Sequence, residues 1–353
     1  MISDPYRLDS HKLDLHPLQV AGWYTGFDIY PIYLEISPSG ACNHRCQFCS
    51  FDFMKYQDRF LDTQIFKERI SRFSDLGIKS IQYAGEGEPL LHPDIATFVG
   101  HTATTGIDVG ISTNGVYLTE KLCAELLPFC TWIKVSFNAG SRKKYAEING
   151  CNPTDFDTVI KNLAYASSFN SRSGHSCTLG IQMVVLPENE SEMLSLALLA
   201  KTLSLDYVVF KPYVHNPHTR SERYKDLDQI QFSRLDEIQS LQSDAFKVEI
   251  RENAFRKSVK NDRPYGQCLA LPFWAYIDSG GEVWGCYRHI GERRFYYGNI
   301  YQSSFEQIWE GDLRRDLIRK KFDISECGVG CRMDEINRYL LRLRNPERHD
   351  NFI

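Results

Sequence analysis

The stretch Cys42-Asn-His-Arg-Cys46-Gln-Phe-Cys49 places three cysteines in one short loop. Because thiolates are soft ligands, three of them suit a cubane iron-sulfur cluster and leave one of its four irons without a protein ligand. A metal centre with an open coordination position can do chemistry there. On spacing alone, a structural zinc site and thiols without a metal remain alternative interpretations.

The other cysteines fall into a second group and a scattered set. The second group is Cys268, Cys286, Cys327 and Cys331, and the scattered residues are Cys123, Cys130, Cys151 and Cys177. The N-terminus from Met1 to Arg7 lacks the basic and then apolar order of a signal peptide, so we expect a cytoplasmic protein. In a reducing compartment, grouped cysteines indicate metal binding or catalysis rather than disulfides.

Composition excludes several classes of protein. The chain has 353 residues, enough for two or so domains, with 42% hydrophobic and 24% charged residues. Its 41 basic and 45 acidic residues give a formal charge of −4, spread along the chain, which disfavours a nucleic-acid-binding surface. The most apolar stretch, 193–200, is far shorter than the roughly 20 residues of a membrane span, so no membrane association is expected.

Predicted strands alternate with helical segments on both sides of the cysteine loop. The predicted strands are 32–37, 79–84, 107–112, 132–137, 178–185 and 207–213. The segments 63–76 and 190–203 have helical spacing. Six such alternations predict parallel strands with outer helices, an α/β fold whose functional groups gather where the strands end.

Polar turns follow these strands. They read Gly85-Glu-Gly-Glu-Pro89, Thr113-Asn-Gly115 and Asn138-Ala-Gly140. Together with the cysteine loop and its Phe48, they resemble the radical S-adenosylmethionine (SAM) superfamily, whose signatures are CxxxCxxC and a GGEP turn. Glu86 stands where that turn usually has its first glycine. The resemblance implies a partial (β/α)6 TIM-like barrel with a [4Fe-4S] cluster on Cys42, Cys46 and Cys49.

The resemblance also implies the contacts that would hold SAM. The turn at Gly87 and Glu88, flanked by Gly85 and Glu86, would hold the amino group. Ser136 matches a residue that contacts the ribose or carboxylate, and Phe48 would pack near the adenine. Asn114 lies in the turn beyond the third strand, and Asn138 replaces an acid found in many relatives.

The C-terminal part resembles the SPASM or twitch extension of radical SAM enzymes. A hairpin is predicted from Trp274–Asp278 and Glu282–Trp284 around Ser279-Gly280-Gly281, and Cys268 and Cys286 flank it. With Cys327 and Cys331 these cysteines would saturate one auxiliary [4Fe-4S] cluster in a small α+β domain. Zinc bound by four cysteines is the alternative.

We expect four segments. They are an N-terminal extension (1–30), the core barrel (31–215), a bridging helical segment (216–260, helical mainly over 226–241) and the cysteine-rich auxiliary-cluster domain (261–353). The basic, amphipathic stretch 338–344 is expected to form a solvated terminal helix.

The resemblance implies an enzyme that reductively cleaves SAM to a 5'-deoxyadenosyl radical and takes a hydrogen atom from an unactivated substrate carbon. We expect a small biosynthetic metabolite as substrate, because only about 31 residues precede the first strand and leave no room for a leader-binding domain. The outcome would be oxidation, epimerisation or decarboxylation, with a flavodoxin or ferredoxin as electron donor.

Other readings stay open. The chain could be a maturase that modifies a peptide, a zinc-bearing binding protein or a non-catalytic iron-sulfur protein. Candidate substrate contacts are Gln182, Lys211, Tyr213 and His215, at the ends of the last two strands, although such residues are often solvated rim residues.

Overall fold

The computed structural model describes residues 6–227, 230–320 and 322–352. Its strands are β1 Tyr33–Ile36, β2 Ser80–Tyr83, β3 Asp108–Thr113, β4 Trp132–Ser136, β5 Thr178–Val185, β6 Tyr207–Pro212, β7 Lys247–Ile250, β8 Trp274–Ile277, β9 Glu282–Trp284 and β10 Tyr296–Asn299. They form one sheet in the order β10-β9-β8-β1-β2-β3-β4-β5-β6-β7.

The helices occupy the connections between strands and the two terminal regions. They are α1 Pro17–Tyr24, α2 Thr63–Ile70, α3 Ile95–Thr104, α4 Glu120–Leu126, α5 Arg142–Asn149, α6 Thr154–Ser173, α7 Met193–Thr202, α8 Leu235–Ser240, α9 Glu252–Val259, α10 Phe305–Trp309, α11 Asp312–Lys320 and α12 Asp334–Arg344. Within the described ranges, no helix has the length and apolar character that crossing a bilayer requires.

The six predicted strands correspond to β1 through β6, which lie side by side in sequence order and pair in parallel. This confirms the predicted α/β partial barrel. On β1, Leu34 and Ile36 enter the main hydrophobic core with the outer helices. Because side chains alternate along a strand, Tyr33 and Glu35 face the other side, the lumen of the barrel.

Two aromatic rings close the floor of the lumen. A Cβ added at Gly110 would lie 2.2 Å from the ring of Trp132, and one at Gly180 would lie 2.3 Å from the ring of Tyr207. Both glycines are therefore needed, because the rings fill the space that larger residues would take. Above this floor, nearer the carboxyl ends of the strands, polar side chains face the lumen.

The bridging segment differs from the prediction. A seventh strand, β7, pairs in parallel with β6, and the expected long helix is only the six-residue α8. Residues 228–229 of the predicted helix lie outside the described ranges. Lys247 and Glu249 alternate with Val248, so this short strand carries two charges. Its sequence pattern therefore indicates a charged helical segment.

The predicted C-terminal hairpin forms β8 and β9, and it joins the barrel instead of standing apart. Strand β8 pairs in parallel with β1, with Tyr33 opposite Trp274. Asp278 holds the hairpin turn, since its carboxylate accepts hydrogen bonds from the Gly280 amide at 2.8 Å and the Trp284 indole at 3.0 Å. The barrel and the C-terminal region therefore share one continuous sheet.

The C-terminal helix α12 is packed, so the expectation of a solvated helix is wrong. Leu340 is fully buried in a small core with Leu13, Val20 and Trp23. The Arg344 guanidinium lies 4.2 Å from the centre of the Trp23 ring. The amphipathic pattern reflected one buried face, which binds the N-terminal segment to the C-terminal helix.

We expect Leu340→Ala to lower the free energy of unfolding by about 2 to 5 kcal/mol, because truncating a fully buried leucine leaves a cavity. Anaerobic urea unfolding of the reconstituted protein would measure the loss. The matched control is Leu313→Ala, since Leu313 is 45% exposed, and it should change stability by less than about 0.5 kcal/mol. Equal effects of the two substitutions would contradict the packing of α12.

Candidate functional site

The cysteine loop follows β1 and holds Cys42, Cys46 and Cys49 half-buried. The three thiols lie close enough for the charge of each to act on the others. Burial raises the pKa of Cys42 to about 12 and that of Cys46 well above its usual range. Thiols with raised pKa values stay protonated near neutral pH unless a cation lies among them. Metal binding uses the thiolate form, so this group of cysteines suits a metal centre.

The C-terminal end of α5 packs against one side of this loop. The amides of Arg45 and Gln47 donate to the carbonyls of Asn149 and Ile148, each at 3.0 Å. The Cys46 thiol lies 3.6 Å from the Asn149 Oδ1 that accepts from it. Sequence reasoning did not nominate Asn149, although the Asn149-Gly150 pair marks a helix end.

The other side of the loop is fastened by the bridging segment. The Thr219 hydroxyl donates to the Cys49 carbonyl at 3.2 Å, and the Asn216 amide donates to the Ser50 carbonyl at 3.0 Å. Sequence reasoning missed both residues, because no local pattern links them to a loop about 170 positions away. The cysteine loop is thus held between two distant parts of the chain.

The turn after β2 lies directly on the cysteine loop. The Glu88 amide donates to the Ala41 carbonyl at 2.7 Å. A Cβ on Gly87 would lie 2.3 Å from both the Ser39 and Ala41 carbonyl oxygens. Only glycine permits this approach of two backbones, so the third residue of the GEGEP turn is fixed by space.

The Glu88 side chain connects this turn to the one after β3. Its carboxylate accepts hydrogen bonds from the Asn114 amide at 2.7 Å, the Leu90 amide at 3.1 Å and the Thr113 hydroxyl. Burial raises the Glu88 pKa to about 7 despite these bonds. The Asn114 side chain in turn donates to Asn43 Oδ1 at 2.7 Å. Three motifs far apart in sequence therefore meet in one place.

Glu86 faces the C-terminal hairpin. Its Oε1 accepts from the Ser279 amide at 3.2 Å, from the Ser279 hydroxyl and from Arg59 Nη2 at 3.2 Å. Its Oε2 is buried without a hydrogen-bond partner in the part of the chain that the structure describes. The residue that departs from the GGEP pattern thus connects the turn to the hairpin.

The two residues nominated at the carboxyl end of β4, Ser136 and Asn138, differ in their surroundings. Both ends of the Asn138 side chain are used within the protein, since its Nδ2 donates to Asn149 at 3.0 Å and its Oδ1 accepts from the Val184 amide at 2.9 Å. Ser136 is half-buried and faces the lumen. The contact of Asn138 with SAM remains only an expectation from the resemblance.

The candidate substrate residues lie at the same end of the sheet. Phe48 packs in an apolar cluster with Tyr213 and Val184. The Tyr213 hydroxyl lies 3.2 Å from His215 Nδ1, and burial raises the Tyr213 pKa to about 12. Gln182 and Lys211 occupy lumen-facing positions on the neighbouring strands β5 and β6. All of these residues surround the mouth of the barrel.

The second cysteine group also converges. The charges of Cys268, Cys286, Cys327 and Cys331 act on one another. Burial raises the pKa of Cys268 to about 12 and that of Cys327 to about 11. Two further polar groups approach the sulfur atoms: Asn337 Nδ2 lies 3.8 Å from Cys268, and His289 Nε2 lies 3.7 Å from Cys327.

Both groups fit iron-sulfur clusters by their donor sets. The loop supplies three half-buried thiols, which suit a cluster with one open iron, and the C-terminal region supplies four, which suit a fully ligated cluster. The contact between Gly87 and the backbone of the cysteine loop lies beside the three-thiol group. These properties are those that the sequence analysis expected.

Comparison with known families gives two matches. The family model described as the Radical SAM superfamily matches residues 36–200, and the model described as the SPASM iron-sulfur cluster-binding domain matches residues 268–332. The two matched ranges contain all seven cysteines of the two groups.

Curated relatives include GTP 3',8-cyclases and a cofactor-modifying protein. The chain is 36% identical over 118 residues to a GTP 3',8-cyclase of Chlorobaculum tepidum, covering 33% of this chain and 36% of the relative. It is 22% identical over 302 residues to a tungsten-containing aldehyde ferredoxin oxidoreductase cofactor-modifying protein of Pyrococcus furiosus, covering 80% and 81%. The matches to the first three cyclases cover 36%, 40% and 56% of their lengths.

Among solved structures, SuiB of Streptococcus suis bound to the precursor peptide SuiA has a TM-score of 0.66 at 20% identity, covering 98% of this chain and 80% of that one. SuiB bound to S-adenosylmethionine gives 0.64 at 19% identity, covering 90% and 74%. At this identity the likeness concerns the fold.

We expect Gly87→Ala to reduce iron in the three-cysteine site and to weaken SAM binding at least about tenfold, because the added methyl overlaps two carbonyl oxygens of the cysteine loop. Iron analysis and anaerobic calorimetry would measure both. The matched control is Gly266→Ala, since a Cβ there meets no atom within 4 Å. If the Gly87 variant behaved like the control, the close contact of turn and loop would be unimportant.

Proposed function

We propose that this chain, a radical SAM enzyme with a C-terminal SPASM domain, takes a hydrogen atom from an unactivated carbon of a small biosynthetic metabolite. Sugars, aminocyclitols and nucleosides are the substrate types we favour, and oxidation, epimerisation or decarboxylation the outcomes. The observation that carries the proposal is the meeting of the cysteine loop, the GEGEP turn and Asn114, joined through Glu88.

When bound and reduced, a [4Fe-4S] cluster would supply the one electron for reductive cleavage of SAM into methionine and a 5'-deoxyadenosyl radical. Cys42, Cys46 and Cys49 would hold that cluster. The backbone at Gly87 and the Glu88 carboxylate would bind the SAM amino group, and Ser136 would contact its ribose or carboxylate. Phe48 would pack near the adenine within its apolar cluster. Each residue lies at the carboxyl end of a strand, where barrels hold their reactants.

The four C-terminal thiols would ligate an auxiliary [4Fe-4S] cluster. Four ligands leave no iron open, so this site suits electron transfer or structural support better than substrate coordination. The low-potential electron needed for SAM cleavage would come from a flavodoxin or ferredoxin, and we propose that the protein works in the cytoplasm. We also propose that the auxiliary domain begins near residue 261, between α9 and β8.

The aromatic rings at the lower end of the lumen and the polar side chains above them favour a small molecule as substrate. Trp132 and Tyr207 close the lower end, while Gln182 and Lys211 face the space above. Relatives named GTP 3',8-cyclase bear the name of a small substrate, which agrees with this choice. The fold likeness to SuiB, solved with a peptide, makes a peptide the alternative substrate.

We expect the anaerobically reconstituted protein to contain about eight irons and to form 5'-deoxyadenosine from SAM when reduced. Replacing Cys42, Cys46 and Cys49 by Ala should remove about four irons and abolish 5'-deoxyadenosine. Replacing Cys268 and Cys286 should remove the other four, because each group holds one cluster. Iron, sulfide and 5'-deoxyadenosine would be measured on the same samples.

The control is Cys177→Ala, which removes a buried thiol outside both groups and should keep about eight irons. SAM cleavage by the triple variant would overturn the assignment of the catalytic cluster. Stoichiometric zinc with no 5'-deoxyadenosine would overturn the proposed function and favour a metal-stabilised binding protein.

A further inference from the structure

Two lysines face the lumen from strands β4 and β6. Lys134 on β4 lies between Ile133 and Val135, which both enter the main core, so its side chain faces the opposite side. Lys211 on β6 follows Phe210, another core residue, and faces the same side as Lys134. Strand β5 lies between the two lysines, with Lys134 opposite Gly180 and Lys211 opposite Val184, four residues further towards the mouth.

Neither amine has an ion-pair or hydrogen-bond partner among the residues that the structure describes. The Lys134 ammonium does lie 5.3 Å from the centre of the Trp132 ring. Burial lowers the pKa of Lys211 to about 7 and that of Lys134 to about 8, and the charge of Lys134 lowers the pKa of Lys211 further. Lysines in such surroundings are stabilised by an anion.

A third cation enters the lumen from the C-terminal domain. Arg332, next to Cys331, donates from Nη1 to Glu35 Oε2 at 2.6 Å. Its guanidinium lies 4.4 Å from the centre of the Trp274 ring and 4.6 Å from that of Tyr287. Its Nε and Nη2 are buried without a hydrogen-bond partner in the described ranges. Two donor nitrogen atoms of this guanidinium therefore have no hydrogen-bond acceptor among the described residues.

The charges near these groups do not balance. Glu35 is the carboxylate that acts on Lys134, Lys211 and Arg332 together. Arg251 also acts on both lysines, but Asp9 lies 3.6 Å from its Nε. Glu249 lies opposite Val209, and its charge acts on Tyr6, whereas it is not among the charges that act on the two lysines. Three cations face one carboxylate, an excess of about two positive charges when both lysines are protonated.

We propose that Lys134, Lys211 and Arg332 bind a phosphate group of the substrate inside the barrel. A phosphate monoester carries about −1.5 to −2 charges at neutral pH, which matches this excess, whereas a carboxylate carries one. The free donors of Arg332 suit the oxygen atoms of a phosphate, and the two lysines supply point charges.

The site lies between the two cysteine groups. Ser136, proposed to contact SAM, is two residues beyond Lys134 on the same face of β4, towards the mouth. Arg332 follows a ligand of the auxiliary cluster. A phosphate held by the three cations would orient a small substrate between the two clusters. This inference rests on the proposed function for its choice of a substrate, but the anion site can be measured without turnover.

The test is anaerobic titration calorimetry of the reconstituted protein with inorganic phosphate at pH 7.5 and low salt. We expect binding by the natural chain, and at least about tenfold weaker binding by Lys134→Met and by Lys211→Met, since each loses one charge-assisted contact. Methionine keeps most of the lysine stem, and iron content and absorption spectra would verify the fold of each variant. Lys161→Gln, at an exposed lysine of α6, is the matched control and should bind phosphate normally.

Each outcome has a separate meaning. No phosphate binding by a natural chain with intact clusters would overturn the inference, and unchanged binding by both methionine variants would overturn the location. Acetate binding as tight as phosphate binding would overturn the choice of phosphate over carboxylate. Phosphate binding without any 5'-deoxyadenosine from SAM would refute the proposed function and still support the anion site.

Discussion

The close contact between the GEGEP turn and the cysteine loop is the constraint on which the site depends. Strands β1 and β2 are neighbours in register, so the two connections that follow them must emerge side by side. Gly87 lets one backbone lie against the other, and the amide of Glu88 bonds to the Ala41 carbonyl. Asn114 and the end of α5 then pack around this pair of loops. The strand order therefore fixes where the two loops meet, and Gly87 allows their backbones to pack in direct contact.

Much of the barrel and of the cluster sites could be predicted from the sequence. Buried parallel strands are apolar, and the turns between them carry glycine, asparagine and proline, so strands and turns stand out locally. The cysteine spacing needed no tertiary information either. Strand β7 and the packed helix α12 were misread because a short strand with two charges, and a helix with one buried face, look solvated in isolation.

Contacts between distant parts of the chain could not be predicted. Glu86 was expected beside SAM, yet its carboxylate is bonded to Ser279, 193 positions away. Arg332 reaches Glu35 across 297 positions. No local pattern specifies such pairs, since they depend on how the C-terminal region returns to the barrel. Residues from both halves of the chain therefore line the lumen.

The pairing of β8 with β1 makes the C-terminal region part of the barrel's edge. The C-terminal region covers the edge of the strand that leads into the cysteine loop. Without β8, the backbone groups of β1 would lie open on that side, and an open edge invites other strands to pair with it. The C-terminal region is for this reason not an interchangeable module, because a replacement would have to supply a strand in that place.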